Sequence, residues 1–275
     1  MIKRIVLGLV LTVVLLGIAR RLSTRNPRDI NVEEGGVRVN HTTVTEQVGP
    51  GEPVISVRID PADGGEPGID FGQLGRAELR ERRMVDSGGG LWEVSLPDVG
   101  KGNRLHYALR IIRQDGRVMR IPAQPDRFFL IKFKGEVSPI VLIVHIAFMF
   151  GAFFFMIQSL FGSVRILQGA EGKRGTVNAA RWVLILSFIG GWPLGFILNY
   201  QAFGMLWEGF PFGFDITDNK TQLMFIFWLV SLLLVRGSLF GRGEETDILG
   251  PKGLAWAVMV SFVVSLLLFL VPHSL

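Results

Sequence analysis

The chain has 275 residues, 49% of them hydrophobic, with a formal net charge of +5 and no cysteine. Without thiols it has no disulfide, no thiolate metal site, no iron–sulfur ligation and no C-x-x-C-H haem attachment. Charge is segregated: residues 20–136 hold 19 of the 29 Lys+Arg and 17 of the 24 Asp+Glu. That stretch is nearly neutral with both signs interspersed, so the basic excess reads as loop charge that orients helices, not as a nucleic-acid surface.

The first element opens Met1-Ile-Lys-Arg and runs apolar from Ile5 to Ala19. A basic start followed by such a run predicts a signal peptide or an N-terminal transmembrane anchor over 1–19. Gly17 and Ala19 supply small residues for cleavage in the first case. Either way the following segment, 20–136, is expected to be exported.

Within 20–136 apolar residues alternate with polar ones: Ile55, Val57, Ile59; Trp92, Val94, Leu96; Leu105, Tyr107, Leu109, Ile111; Phe129, Ile131, Phe133. Successive strand side chains point to opposite faces, so a period of two predicts half-buried strands. Asp115-Gly116 between two such runs predicts a hairpin. About seven short strands separated by Gly-rich breaks predict a β-sandwich. Pro-Gly-Glu-Pro-Val at 50–54, Leu-Trp-Glu-Val-Ser-Leu-Pro at 91–97 and His-Tyr-Ala-Leu-Arg through Asp-Gly at 106–116 resemble the Ig-like and fibronectin-like modules found outside bacterial membranes. That resemblance covers 42–134 and implies protein or ligand contact. His41 and His106, lone histidines on strands, read as surface or packing residues.

Four apolar runs follow, at 139–161, 182–203, 222–235 and 254–271. A helix needs ~20 residues to cross the ~30 Å hydrocarbon core, and no other open backbone is tolerated there. The expected fold is therefore an α+β membrane protein: an N-terminal signal or anchor helix, an extracytoplasmic sandwich at 20–136, and a four-helix transmembrane domain at 137–275. Arg165, Lys173, Arg174 and Arg181, with Arg236, Arg242 and Lys252, place two loops in the cytoplasm. The loop at 204–221, with Lys220 against Glu208, Asp215 and Asp218, falls outside. The third run contains Gly190-Gly-Trp-Pro-Leu-Gly195, where Pro193 predicts a kink. The small residues there suit close helix packing, and a broken helix also suits a substrate site. Asn199 and Gln201 lie beyond the kink, where they can face a pocket. No charged residue is expected well inside these four helices, which weighs against an ion-coupled carrier.

The loop Phe203-Gly-Met-Leu-Trp-Glu-Gly-Phe-Pro-Phe-Gly-Phe-Asp-Ile-Thr-Asp-Asn-Lys-Thr221 interleaves aromatics with Gly and Pro. It reads as an interfacial aromatic belt with a helix cap at Thr217 or Asp218. A second reading is a pocket lid, in which Trp207, Phe210, Phe212 and Phe214 form a platform. A third is a cation site at Glu208, Asp215 and Asp218, a spacing that matches no Ca²⁺ loop. His145, about two turns into its helix, and His273 approach the same membrane half, and two imidazoles there would suit haem b.

Trp207 to Asp215, with Thr217 and the helix carrying Phe225-Ile-Phe-Trp228, resembles the tryptophan-rich WWD loop of haem-handling proteins of cytochrome c assembly. Phenylalanine stands here where that family clusters tryptophan. The resemblance implies haem contact through Trp207, Asp215, His145 and His273. The membrane half also resembles uncharacterised bacterial membrane proteins bearing a W-x-G-x-P-x-G-x-D-x-T-D-N-K segment.

No Walker A run, Rossmann glycine pattern, H-E-x-x-H or G-x-S-x-G occurs. The expected role is a non-enzymatic binding or assembly component of the bacterial inner membrane. Its partners would be the bilayer and other membrane or periplasmic proteins, not nucleic acid. The alternatives are a haem-binding subunit and a small-solute transporter subunit dependent on Pro193 and Asn199.

Overall fold

The structure is a computed structural model that describes residues 2–23, 26–76 and 78–271. They fall into two compact units. One gathers the described residues of Arg25–Glu136 with Gln201–Gly204, and the other those of Met1–Thr24, Val137–Tyr200 and Met205–Leu275.

The first unit is a β-sandwich-like region of two sheets. Its strands are β1 (Asp29–Glu34), β2 (Val37–Thr42), β3 (Glu46–Val48), β4 (Val54–Asp60), β5 (Gly65–Gln73), β6 (Arg80–Arg83), β7 (Val85–Gly88), β8 (Leu91–Ser95), β9 (Arg104–Arg113), β10 (Val118–Ile121) and β11 (Phe129–Lys134). One sheet runs β1-β2-β4-β8-β7; the other runs β3-β11-β9-β5-β6, with β10 also on β9. Pairing is antiparallel except for β3 beside β11.

The alternating residues of β4, β8, β9 and β11 are those that meet between the sheets. Ile55, Leu105, Tyr107, Leu109, Ile111 and Ile131 are almost fully buried. The hairpin forms at Asp115-Gly116, where Gly116 takes φ +79°.

Among the described residues eleven strands stand where about seven were expected, because several do not alternate. The edge strand β6 reads Arg-Glu-Arg-Arg and is exposed throughout, a charged edge that resists pairing with other chains. In β5 glycine hides the pattern: a Cβ at Gly65 would lie 2.8 Å from the Ile112 carbonyl oxygen, and one at Gly72 2.8 Å from that of Glu78.

The second unit is helical: α1 (Ile2–Ser23), α2 (Pro139–Leu167), α3 (Lys173–Ile189), a π-turn (Gly190–Leu194), α4 (Gly195–Phe203), α5 (Ile216–Leu233), α6 (Arg236–Phe240), a 3₁₀ turn (Glu244–Thr246) and α7 (Pro251–Leu270). Among the described residues, four helices are long and apolar enough to cross a membrane: Ile2–Leu22, Pro139–Leu167, Lys173–Phe203 and Pro251–Leu270.

The apolar runs understate these helices because polar side chains fold into their ends. The run at 182–203 is the second part of a helix that begins at Lys173. Lys173 is buried, with Nζ 2.5 Å from Asp247. The run at 222–235, expected as one of four spans after the sandwich, belongs to α5, which is not among those four helices, whereas the N-terminal helix is. Helix α5 starts at Ile216 because the Asp215 carboxylate, not Thr217 or Asp218, caps it, accepting the free amides of Thr217 (2.8 Å) and Asp218 (3.1 Å). Asp218 and Lys220 lie in the opening turns of α5, ahead of the apolar run, and are buried.

The N-terminal helix extends past Ala19 to Ser23 and packs into the same unit. Leu16 and Ala19 are buried, Gln158 donates to the Arg4 carbonyl (3.3 Å), and Arg4 pairs with Glu171 (2.9 Å). The unit's interior is lined by small residues, with Ala152, Ser159, Ser163, Ala180, Ala255 and Ser265 fully buried. Small side chains let helices approach closely where lipid gives no hydrophobic drive for association.

The two ends of this unit differ. Arg181 donates to the Ser238 carbonyl (3.2 Å) at one end, and Asn199 donates to Asp218 (3.2 Å) at the other. Between those ties α5 runs back alongside α3 and α4.

Candidate functional site

The end marked by Asn199 and Asp218 holds most of the residues singled out in the sequence. Pro193 has no amide hydrogen, so a regular α-helical ladder cannot continue through it. The chain widens into the π-turn, and the Gly190 carbonyl is left to accept both the Gly195 amide and His145 Nδ1, the latter at 2.9 Å. A carbonyl only accepts, so Nδ1 carries the proton and the His145 lone pair is on Nε2.

The turn also sets an aromatic stack. Trp192 lies parallel to Trp207 (centroids 6.0 Å, 15°) and to Phe188 (5.7 Å, 24°). Phe225 meets Trp192 edge-on at 4.9 Å, and Phe196 meets Trp207 edge-on at 5.8 Å.

Trp207 begins a loop whose backbone is tied down almost residue by residue. The Asp218 carboxylate accepts the Glu208 amide (2.7 Å) and the Asn199 side chain. Asn219 Oδ1 accepts the Phe210 amide (2.7 Å). Phe212 and Gly213 donate to the Gly209 carbonyl, both at 3.0 Å, and Asp215 donates to that of Glu208 at 2.9 Å. Glycine is required at two points: a Cβ at Gly213 would sit 2.4 Å from the Glu208 carbonyl oxygen, and one at Gly209 would sit 2.6 Å from the Trp207 ring. The outcome is a rigid loop that presents Phe210, Phe212 and Phe214 at 60%, 85% and 86% exposure.

The expected site residues are thus distributed unevenly. Asn199 joins the loop through Asp218, and Trp207 joins it through the stack. Phe210, Phe212 and Phe214 are exposed at the loop surface. Asp215 is committed as the cap of α5. Pro193 shapes the π-turn that His145 reads. Gln201 groups with the sandwich unit, and His273 lies outside the described residues.

For haem, His145 fits the requirement of an imidazole with Nδ1 anchored on a carbonyl and Nε2 free for iron. The Asp215 carboxylate, bound to two amides, is placed to cap a helix rather than to meet a cofactor. Among the described residues no group of three or more His, Asp or Glu gathers to hold a metal.

Sequence reasoning missed three features. Asp218 reads in the sequence as a cap or cation ligand, but with Asn219 it ties the loop backbone, accepting the Glu208 and Phe210 amides. Trp192 is the base of the stack; its place one residue before Pro193 was the available signal.

The third is a buried chain of hydrogen bonds in the sandwich. His41 Nδ1 donates to the Ser56 carbonyl (2.9 Å), so Nε2 accepts the Tyr107 hydroxyl (2.9 Å), which in turn accepts the Val44 amide (3.3 Å). Burial pushes His41 below the usual imidazole range, although its bond to Ser56 works the other way. Burial also pushes the Tyr107 phenol well above its ordinary value, against a smaller opposing effect of the Val44 amide. His41 is thereby a neutral packing residue with both ring nitrogens engaged. His106 meets Phe128 at a tilt, with ring centroids 4.7 Å apart, and burial lowers its pKa as well.

No family model matches the chain, and no curated protein matches it. Among solved structures, a Br derivative of BhCBM56 matches 36% of this chain and 95% of its own, at 12% identity and a TM-score of 0.26. CopC from Methylosinus trichosporium OB3b matches 40% of this chain and 98% of its own, at 11% identity and a TM-score of 0.26. Likenesses this distant assign nothing to these residues.

Proposed function

We propose that the chain is a multi-pass component of a bacterial inner membrane that holds a non-enzymatic β-sandwich on the extracytoplasmic side and works by binding membrane or periplasmic proteins there. The observation that carries this reading is the charge at one end of the helical unit. Lys3 and Arg4 of α1, Arg165 of α2, Lys173, Arg174 and Arg181 of α3, Arg236 of α6, and Arg242 and Lys252 before and within α7 belong to that end. Basic residues of short loops stay in the cytoplasm. The sandwich sequence leaves the carboxyl end of α1 and enters the amino end of α2, both at the opposite end. Packing of Leu16 and Ala19 supports α1 as a retained anchor rather than a cleaved signal.

Single cysteines test the sidedness. Val118→Cys on the sandwich should react with a membrane-impermeant maleimide in osmotically permeabilised-envelope cells whose inner membrane is intact. Ile248→Cys, beside the basic end, should react only after lysis. The reverse pattern would overturn the topology. A photo-crosslinker at exposed Val54, Val85 or Val118 should yield adducts with another protein, and three positions without one would remove the binding role.

A second reading, haem binding, is favoured by one observation: the Gly190 carbonyl fixes the His145 tautomer with Nε2 free. Protein purified from haem-replete cells should then show a Soret band that His145→Ala removes. A colourless preparation would end this reading.

A further inference from the structure

The loop between α4 and α5 distributes its polarity in the sense opposite to a water-exposed turn. Met205, Leu206, Phe210, Phe212 and Phe214 are between 50% and 86% exposed. Two of the charged groups beside them turn inward, Asp218 at 7% exposure and Lys220 at 8%, while Glu208 and Asp215 are half-buried. Both buried groups are also engaged: Asp218 takes Asn199 and the Glu208 amide, and Lys220 Nζ donates to the Val271 carbonyl at 2.7 Å. Apolar side chains outside and satisfied polar groups inside are what a hydrocarbon solvent selects, because lipid cannot satisfy a polar group and does not penalise an apolar one.

The length of α5 gives the same answer independently. Its 18 residues span about 27 Å at 1.5 Å per residue, less than the ~30 Å hydrocarbon core. The polar ties set the same scale. Arg181 meets Ser238 at the basic end, and Asn199, eighteen residues further along the α3–α4 helix, meets Asp218. That separation is again about 27 Å. With the Arg181 level at one membrane boundary, the Asn199–Asp218 level falls just short of the other. The loop that caps α5 therefore starts within the bilayer rather than above it. Phe188, Ile197 and Ile226 of the neighbouring helices are exposed as well, and Phe188 stacks on Trp192, which stacks on Trp207 at the start of the loop.

We propose that residues 205–214 form a re-entrant wedge in the outer leaflet, with Phe210, Phe212 and Phe214 in contact with phospholipid at the level of the carbonyls and upper acyl chains. This goes beyond the binding role and rests on that reading in taking the helices as membrane spans and this end of the unit as the outer side. The tied backbone gives the wedge a fixed shape, and the amide bonds accepted by the buried Asp218 and by Asn219 lower the polar cost of placing a loop at that depth.

The full chain with Phe212→Cys, labelled with bimane and reconstituted in phosphatidylcholine/phosphatidylglycerol vesicles at high lipid excess, tests the proposal. Bimane should emit blue-shifted light and be quenched several-fold more by lipids with a shallow nitroxide than by lipids with a deep one. A label on Val118→Cys in the same vesicles should remain water-like and unquenched. Water-like emission from Phe212→Cys overturns the wedge. So does blue emission that no nitroxide lipid quenches, which would mean a second copy of the chain covers the loop. Phe214→Cys, equally exposed, repeats the measurement if the first variant is poorly produced. Because the vesicles hold no partner protein and orientation does not affect quenching, a failure here is separate from a failure of the binding role or of the topology.

Discussion

The two units solve opposite versions of one problem. In the sandwich the largest apolar residues are central, with Val39, Ile55 and Leu109 at 0% exposure, and the strand edges are charged. In the helical unit many large apolar residues also face outward, with Ile140 at 75%, Trp256 at 60% and Leu267 at 58%, while serines join Trp228, Leu232 and Leu254 in the interior. Water drives the first arrangement by rejecting apolar surface. In lipid that drive is absent, so helices associate through close packing and internal hydrogen bonds. The contrast lies in what accompanies the apolar core: both units bury leucines, but among the described residues the fully buried serines, Ser159, Ser163 and Ser265, lie in the helical one.

The comparison is broken most severely where the helical unit buries charge. Lys173 and Asp247 are each about 2% exposed or less in their side chains and pair at 2.5 Å. Burial alone would raise the Asp247 carboxyl, but Lys173 and Ser238 hold it at about 2. Removing one member of such a pair leaves an uncompensated charge, at a cost of about 3–5 kcal/mol. Lys173→Ala should therefore cause the largest loss of stability, read as detergent-solubilised unfolding. With the folded carboxyl below its unfolded value, the Asp247 contribution is present above about pH 4 and is lost as pH falls through about 2.

Next in size is a matched pair of truncations. Leu109→Ala, at a fully buried position of β9, should cost about 2–5 kcal/mol through lost burial and the cavity left behind. Leu267→Ala, at an exposed position of α7, should change stability in vesicles by less than about 0.5 kcal/mol. Equal effects at the two sites would show that the helices are not read by lipid.

Much of this contrast was legible in the sequence, and its limits have physical causes. Ile55, Val57 and Ile59 announced β4 because alternation is a local signal, and Asp115-Gly116 announced its hairpin for the same reason. Strand β5 was not legible, because glycines that admit a neighbouring backbone erase the alternation. Helix ends were misplaced wherever a polar residue is neutralised by a distant partner: Lys173 reads as loop until Asp247, 74 residues later, lies against it. The site divides in the same way. The loop's composition and the kink at Pro193 were visible, whereas the tie from Asn199 to Asp218 and the bond from His145 to Gly190 depend on tertiary placement. Tyr107 and His41, 66 residues apart, were each seen as strand residues and never as a pair.

That pair sharpens the sandwich side of the comparison at an intermediate size. Tyr107→Phe removes the hydroxyl and strands the Val44 amide and His41 Nε2, which should cost about 1–3 kcal/mol. The wild type should also carry a pH signature. Burial depresses the folded imidazole below its unfolded value near 6.5, so the unfolded chain binds the extra proton. Stability is full above about pH 6.5 and declines as pH falls toward the folded value. Thermal unfolding of the full chain followed through the sandwich tyrosine should show this slope, and His41→Gln should flatten it. A slope that survives the substitution would assign it elsewhere.

The smallest effect is expected from the corresponding bond in the helical unit. Trp228, the largest fully buried side chain there, donates from Nε1 to Ser265 Oγ at 2.9 Å. The serine also donates to the Ser261 carbonyl at 2.7 Å, so its hydroxyl already has a partner within α7. A membrane helix keeps such local partners even when its neighbours separate, which is why interhelical hydrogen bonds contribute only about 0.6 kcal/mol on average. Ser265→Ala should therefore cost about that much in vesicles, well below Tyr107→Phe, although both remove a hydroxyl from a buried aromatic partner. If the two substitutions cost the same, the separated helices must lack the local bond, and the interior of this unit would then behave like the sandwich core.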